Sequence, residues 1–157
     1  MTEKDQFVAE ISASSTEPYK TAEAREKHTV YSDEPEWTEM PGGDEYPSPG
    51  DYLLLSLGLC QVSVLDQCLE KNCVDPYSIE CTAEIDSWGL DDSVPEAMPE
   101  KTGLRVDHIS ISMTVETTPE NEAQAARCLE VYDEGCVVGQ SIGIDYDTFA
   151  SLEIDGD

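Results

Sequence analysis

The sequence predicts an α+β fold, and three observations carry that prediction. Tyr77–Ile85 and Leu104–Glu116 alternate apolar and polar residues with period two, as half-buried strands do. Ser48–Lys71, which is largely apolar, and Thr118–Glu134, which is apolar on one side, both open on helix-capping residues. The order along the chain is ββ-α-ββ-α-β, in short elements without the regular alternation of a parallel α/β sheet. The chain has 157 residues, which fits one domain spanning 1–157.

Phe7–Ser12 opens the chain as a strand, with Phe7, Ala9 and Ile11 on one face. Ser14–Pro18 reads as a turn, and Lys20–Tyr31 as a second strand. Asp33–Pro49, rich in Pro, Gly, Asp and Glu, reads as a loop. Its length suggests a functional or partner-facing role. The first helix then starts with Ser48 as cap, Pro49 in the first position and Asp51 as the acid of a capping box. Leu53–Leu65, LLLSLGLCQVSVL, is apolar on most sides, which places this helix centrally. Ser56, Cys60, Ser63 and Gln67 make one stripe along it, with Cys60 in mid-helix.

In the Tyr77–Ile85 strand, Ile79, Cys81, Ala83 and Ile85 face one way. Trp88–Thr102, with its prolines and acids, reads as an exposed loop. In the Leu104–Glu116 strand, Ile109, Ile111, Met113 and Val115 form the inner face. Thr118 and Pro119 open the second helix, which presents Ala125, Cys128, Leu129 and Tyr132 on one side. Gly135 ends it and Cys136 follows. A last strand near Ser141–Phe149 carries Ile142, Ile144 and Tyr146. No internal repeat is found.

Charge excludes some functions. Asp and Glu number 35 against 8 Lys and Arg, for a formal net charge of -27. Phosphate contacts need clustered cations, so unaided nucleic-acid binding and attachment to anionic membranes are not expected. The acids are spread evenly along the chain rather than gathered in a tail. Such an acidic, lysine-poor surface resembles cytosolic proteins of salt-accumulating halophiles, in which molar salt screens self-repulsion. No secretory signal is expected at the N-terminus, and a cytoplasmic location follows.

The six cysteines are 60, 68, 73, 81, 128 and 136. A reducing compartment argues against a disulfide scaffold, and the spacings lack the close pairs of a zinc site. Cys81 and Cys128 fall on apolar faces and read as inert core residues; Cys68 and Cys73 have no assigned role. Cys60 and Cys136 stand out by context, one in mid-helix and the other behind a helix-ending glycine. They are either two ordinary buried cysteines or a pair that meets in space, attacks a peroxide and forms a disulfide.

Three segments carry a family resemblance. HTVYSDEP, His28–Pro35, is similar to a His-x-x-x-x-Asp-Glu-Pro strand end. GGDEYPSPGDYLLLSLGLC, Gly42–Cys60, is similar to a Gly-Gly-rich loop running into a Leu-rich helix that reaches a cysteine. GCVVGQSI, Gly135–Ile142, resembles a second-cysteine segment. Together they resemble the OsmC/Ohr family of osmotically inducible and organic hydroperoxide resistance proteins, over about residues 20–150.

The resemblance implies two central helices packed with antiparallel β-sheets, in an intertwined homodimer with active sites at the subunit interface. It implies reduction of organic hydroperoxides, with Cys60 as peroxidatic thiol, Cys136 as resolving thiol and a dithiol as reductant. No cofactor or metal is implied. Family peroxidases hold the thiolate with an arginine that a glutamate orients. Gly50 stands at the glutamate position, so Asp51 is the substitute, with helix capping as its competing role. Arg25 is the preferred cation, against a plain surface charge; Lys20, Arg105 and Arg127 are the other candidates. Val137 follows Cys136 where the family usually has proline. His28 is expected to be a partly buried structural residue. Two other readings stay open: a non-catalytic member of the fold that binds an apolar small molecule, and an acidic structural or stress protein.

Overall fold

The computed structural model describes residues 8–36, 42–90, 95–98 and 103–155. They group into two compact units, one of residues 1–53 and 93–103, the other of residues 54–92 and 104–157.

In the first unit, β1 (Ala9–Ser12), β2 (Lys20–Ala24) and β3 (His28–Ser32) form an antiparallel meander in that order. Phe7, assigned to the first strand, lies outside the described residues. The expected single strand Lys20–Tyr31 is in fact a hairpin. Its turn holds Arg25 and Glu26 both at φ 54°, and the Lys27 N–H donates to the Ala24 carbonyl at 3.1 Å. Successive turn residues at positive φ are normally Asn or Gly, and neither is present.

After β3 the chain is organised by a buried carboxylate. Asp33 is 1% exposed and accepts backbone hydrogen bonds from Glu34 at 2.8 Å, Gly43 at 2.9 Å and Glu45 at 3.2 Å. The Gly43 N–H above all holds its pKa below the usual carboxylate range. Gly42 must be glycine, because a β-carbon there would lie 2.6 Å from Asp33 Oδ1 and from the Glu34 carbonyl. Tyr19, Tyr31 and Tyr46 pack ring on ring, with centroids 5.1–5.5 Å apart.

Helix α1 (Pro49–Lys71) starts on the expected capping box. The Asp51 N–H donates to Ser48 Oγ at 3.2 Å, and the Ser48 N–H donates to Asp51 Oδ2 at 2.7 Å. By length and composition α1 would suffice to cross a bilayer. It instead buries Leu57, Gln61, Leu65 and Leu69, one residue per turn. Each of the three leucines contributes about 1.5–3 kcal/mol through burial. The stripe of Ser56, Cys60, Ser63 and Gln67 lies one or two positions away from this buried line. Ser56, Ser63 and Gln67 are exposed and Cys60 is half-buried, so that stripe is not the buried one.

The second unit is a mixed sheet covered on one face by helices. β4 (Tyr77–Leu90) pairs antiparallel with β5 (Leu104–Thr117), which pairs parallel with β6 (Asp145–Ile154). The β5–β6 pair thus departs from the antiparallel expectation, because the helical segment between the two strands serves as the crossover that parallel pairing needs. Ile109, Ile111, Met113 and Val115 are buried as expected. With Leu65, Leu69, Val74, Ala125 and Tyr132, Met113 and Val115 form the core. β4 runs on past Ile85 through Trp88–Leu90, which the sequence reading assigned to a loop; residues 91–94 and 99–102 of that loop lie outside the described residues.

The second helical segment begins with a 3₁₀ turn at Pro119–Asn121, continues as α2 (Glu122–Val131) and ends in a 3₁₀ turn at Tyr132–Gly135. Gly135 is glycine because a β-carbon there would meet Val64 Cγ1 of α1 at 2.8 Å. A short helix follows, α3 (Val137–Ser141), capped by Cys136, so the last strand starts at Asp145 rather than near Ser141.

One cysteine assignment changes. Cys128 is disulfide-bonded to Cys68, with Cα atoms 5.7 Å apart. Cys128 is not an inert core thiol, and Cys68 acquires a role, because the bond ties α1 to α2 at this level. Cys60, Cys73, Cys81 and Cys136 are free.

Candidate functional site

Cys60 and Cys136 come together. Their thiols lie close enough to act on one another electrostatically, although all of β4, β5 and α2 separates them in sequence. α1 presents Cys60 half-buried, and the sharp exit from the second helical segment buries Cys136 completely. That exit exists because Gly135 lets the backbone approach Val64.

The two thiols differ electrostatically. Burial pushes the Cys136 pKa up; the Gly139 N–H, which donates to Cys136 Sγ at 3.2 Å, opposes this, and contact with Cys60 raises it further. Charge on Cys60 therefore disfavours charge on Cys136.

Three further residues complete the surroundings. A β-carbon at Gly139 would lie against the Tyr146 hydroxyl, 2.9 Å from its Cζ and 3.3 Å from Cys136 Sγ. The Tyr146 phenol is raised by burial and then by Cys136. Gln61 follows Cys60 and is fully buried. Its amide lies near enough to Tyr146 to favour the phenolate, yet neither amide atom has a partner in hydrogen-bonding geometry. The sequence alone does not single out Gln61 or Gly139, and it offers Tyr146 only as a residue of the last strand. The available signal was a glutamine interrupting the buried line of leucines.

The other predicted residues are placed as follows. Arg25 lies in the β2–β3 turn, with a guanidinium nitrogen 3.4 Å from His28 Nε2. His28 is exposed, not partly buried as expected. The Asp51 carboxylate is engaged by Ser48 in the capping box. Lys20 pairs with Glu34 at 3.6 Å and Arg105 with Asp107 at 2.8 Å, while Arg127 is exposed on α2. Gly50, at the start of α1, has only Ser48 Oγ near its β-position, at 3.6 Å. Apolar residues flank both thiols in sequence: Leu59 is 64% and Val137 72% exposed. Among the described residues no group of three His, Cys, Asp or Glu side chains is gathered as a metal site.

A second polar cluster lies on the solvent-facing side of the sheet. His108 Nδ1 is 2.6 Å from Asp86 and Nε2 is 3.3 Å from Asp147, while Ser110 Oγ donates to Asp86 at 2.5 Å. The bond to Asp86 raises the His108 pKa, and the bonds from Ser110 and His108 lower that of Asp86.

Comparison with known proteins gives a consistent picture. The family model described as OsmC-like protein matches residues 42–148. No curated protein matches the chain. Among solved structures, an OsmC-like protein from Vibrio cholerae superposes with a TM-score of 0.68 at 13% identity, over 94% of this chain and 99% of the other. An organic hydroperoxide resistance protein OsmC from Legionella pneumophila gives a TM-score of 0.57 at 15% identity, over 95% and 97%. The organic hydroperoxide resistance protein OhrB of Bacillus subtilis gives 0.53 at 14%, over 94% and 98%. At these identities the likeness establishes the fold.

Proposed function

This chain belongs to the OsmC family, and we propose from that premise that it is a thiol-dependent peroxidase acting on organic hydroperoxides. The observation that carries the reading is the closeness of Cys60, which is half-buried, to Cys136, which is sealed. A two-cysteine mechanism needs that division: one sulfur that substrate reaches and one that waits behind it.

The chemistry runs in three steps. The Cys60 thiolate attacks the outer oxygen of the hydroperoxide, the O–O bond breaks, and the leaving alkoxide takes a proton to become an alcohol. Cys60 is now a sulfenic acid. Cys136 loses its proton as its sulfur attacks the Cys60 sulfur, water leaves, and a disulfide forms. The Gly139 N–H is aimed at Cys136 Sγ and stabilises the charge that develops there. A dithiol reductant then restores both thiols by two exchanges and is itself oxidised to a disulfide.

In this reading Arg25 is the cation that favours the Cys60 thiolate, and Asp51 substitutes for the family glutamate that Gly50 replaces. The protein acts in the cytoplasm as a homodimer, and the exposed apolar side chains Leu55, Leu59 and Val137 favour a second copy as their cover. Gly50 also favours the second reading, a non-catalytic member that binds an apolar molecule.

The test is consumption of cumene hydroperoxide and of hydrogen peroxide in the presence of dithiothreitol. The wild type is expected to consume the organic substrate faster, and Cys60→Ser to consume neither. Arg25→Ala is expected to lose about tenfold in kcat/KM, because it removes the cation that favours the reactive thiolate. A wild type inert toward both peroxides would leave the binding reading in its place.

A further inference from the structure

The free pair and the disulfide are two rungs of one ladder. Cys60 and Cys68 are eight residues apart on α1, and Cys128 and Cys136 are eight residues apart on the facing segment. Cys68 is bonded to Cys128, and Gly135 abuts Val64 one helical turn beyond Cys60, so the two segments run antiparallel and bring Cys136 beside Cys60. Between the rungs Gly135 sits so close to Val64 that a β-carbon would overlap it, which keeps the segments in direct contact. Eight residues are about two helical turns, so the rungs stand about 12 Å apart along α1. Asn72 closes the far end. Its Nδ2 donates to the Cys68 carbonyl at 2.7 Å and lies 3.6 and 3.5 Å from the sulfurs of Cys68 and Cys128.

We propose that the Cys68–Cys128 disulfide is a positioning cross-link that fixes the register in which Cys60 and Cys136 meet, so that each rung favours the other. The physical basis is effective concentration. A second tie between two segments already held in register closes a small loop instead of a large one. Slippage by one residue along α1 would turn Cys60 about 100° away from Cys136. Coupling between two equilibria is reciprocal, so each rung must strengthen the other by the same factor. The proposal concerns the pairing of the thiols and does not rest on peroxidase activity. Each rung forms as its two thiols give two electrons and two protons to a small-molecule disulfide, oxidised glutathione, which leaves as two thiols.

The experiment uses the full chain equilibrated in glutathione redox buffers, with thiols counted by alkylation and mass spectrometry. The measured quantity is the equilibrium constant of the Cys60–Cys136 disulfide. In Cys68→Ala/Cys128→Ala it is expected to fall at least tenfold from its value in the wild type with the bridge intact. A purely structural bridge would lower thermal stability and leave this constant alone. If that variant fails to fold, the reciprocal variant decides: in Cys60→Ala/Cys136→Ala, the constant of the Cys68–Cys128 bridge is expected to fall by a comparable factor from its value with the other rung oxidised. A constant within twofold of wild type, six titratable thiols in the unreduced denatured wild type, or no Cys60–Cys136 disulfide at any buffer ratio would each overturn the proposal.

Discussion

Gly139→Ala perturbs the thiol pair without altering either cysteine. The new β-carbon would press on the Tyr146 hydroxyl, 2.9 Å from its Cζ and 3.3 Å from Cys136 Sγ. The sulfur gives by a few tenths of an ångström, but the phenol moves only as a whole ring, because β6 holds its backbone. Forced overpacking of this kind costs about 1–3 kcal/mol. Alanine in a helix returns at most about 1 kcal/mol relative to glycine, and α3 is one short turn. The net is a destabilisation of up to about 2–3 kcal/mol, together with displacement of Cys136 from the Gly139 N–H. The control is Gly143→Ala, where a β-carbon meets nothing within 4 Å. Urea unfolding gives the stability, and mass spectrometry after hydroperoxide treatment gives the fate of Cys60. Gly139→Ala is expected to be less stable than Gly143→Ala and to carry more Cys60 sulfinic acid, because a displaced Cys136 resolves the sulfenic acid too slowly. Identical stability and identical Cys60 products in the two variants would refute the packing argument.

Other expectations follow from the same structure. Ser48→Ala removes the capping box of α1 and should cost about 1 kcal/mol, read as a Tm lower by about 2–4 °C. The raised pKa of His108 means that its ion pairs contribute fully below the ordinary value of about 6.5 and are lost as pH rises through the raised value. His108→Gln should therefore flatten the fall of Tm with pH above that point; an unchanged slope counts against the Asp86–His108–Asp147 cluster as its source. The evenly spread charge of -27 predicts a Tm that rises from millimolar to molar KCl, as screening shortens to about 3 Å. A Tm indifferent to salt contradicts that reading.

Periodicity made the second unit legible. Ile109 to Val115 alternate as β5 requires, and Ser48 with Asp51 marked the start of α1 to the residue. What stayed hidden depended on tertiary partners. The β2–β3 hairpin turns on Arg25 and Glu26 at positive φ, with no Gly or Asn to announce it. α3 lies in a Val-rich stretch with strand propensity, and it is the cap at Cys136 and the close approach of Gly139 to Tyr146 that decide for helix. The Cys68–Cys128 bond was invisible because it depends on the register between α1 and α2, which no local pattern encodes. Cys60 and Cys136 were singled out by context and by resemblance, whereas Gln61 and Gly139 matter only once Tyr146 is seen beside them.

Thiol counting after one equivalent of cumene hydroperoxide tests the central claim most directly. The wild type holds four free thiols. Two are expected to remain after treatment, as Cys60 and Cys136 join, and Cys60→Ser is expected to lose none of its three. Four thiols remaining in the treated wild type would contradict the account.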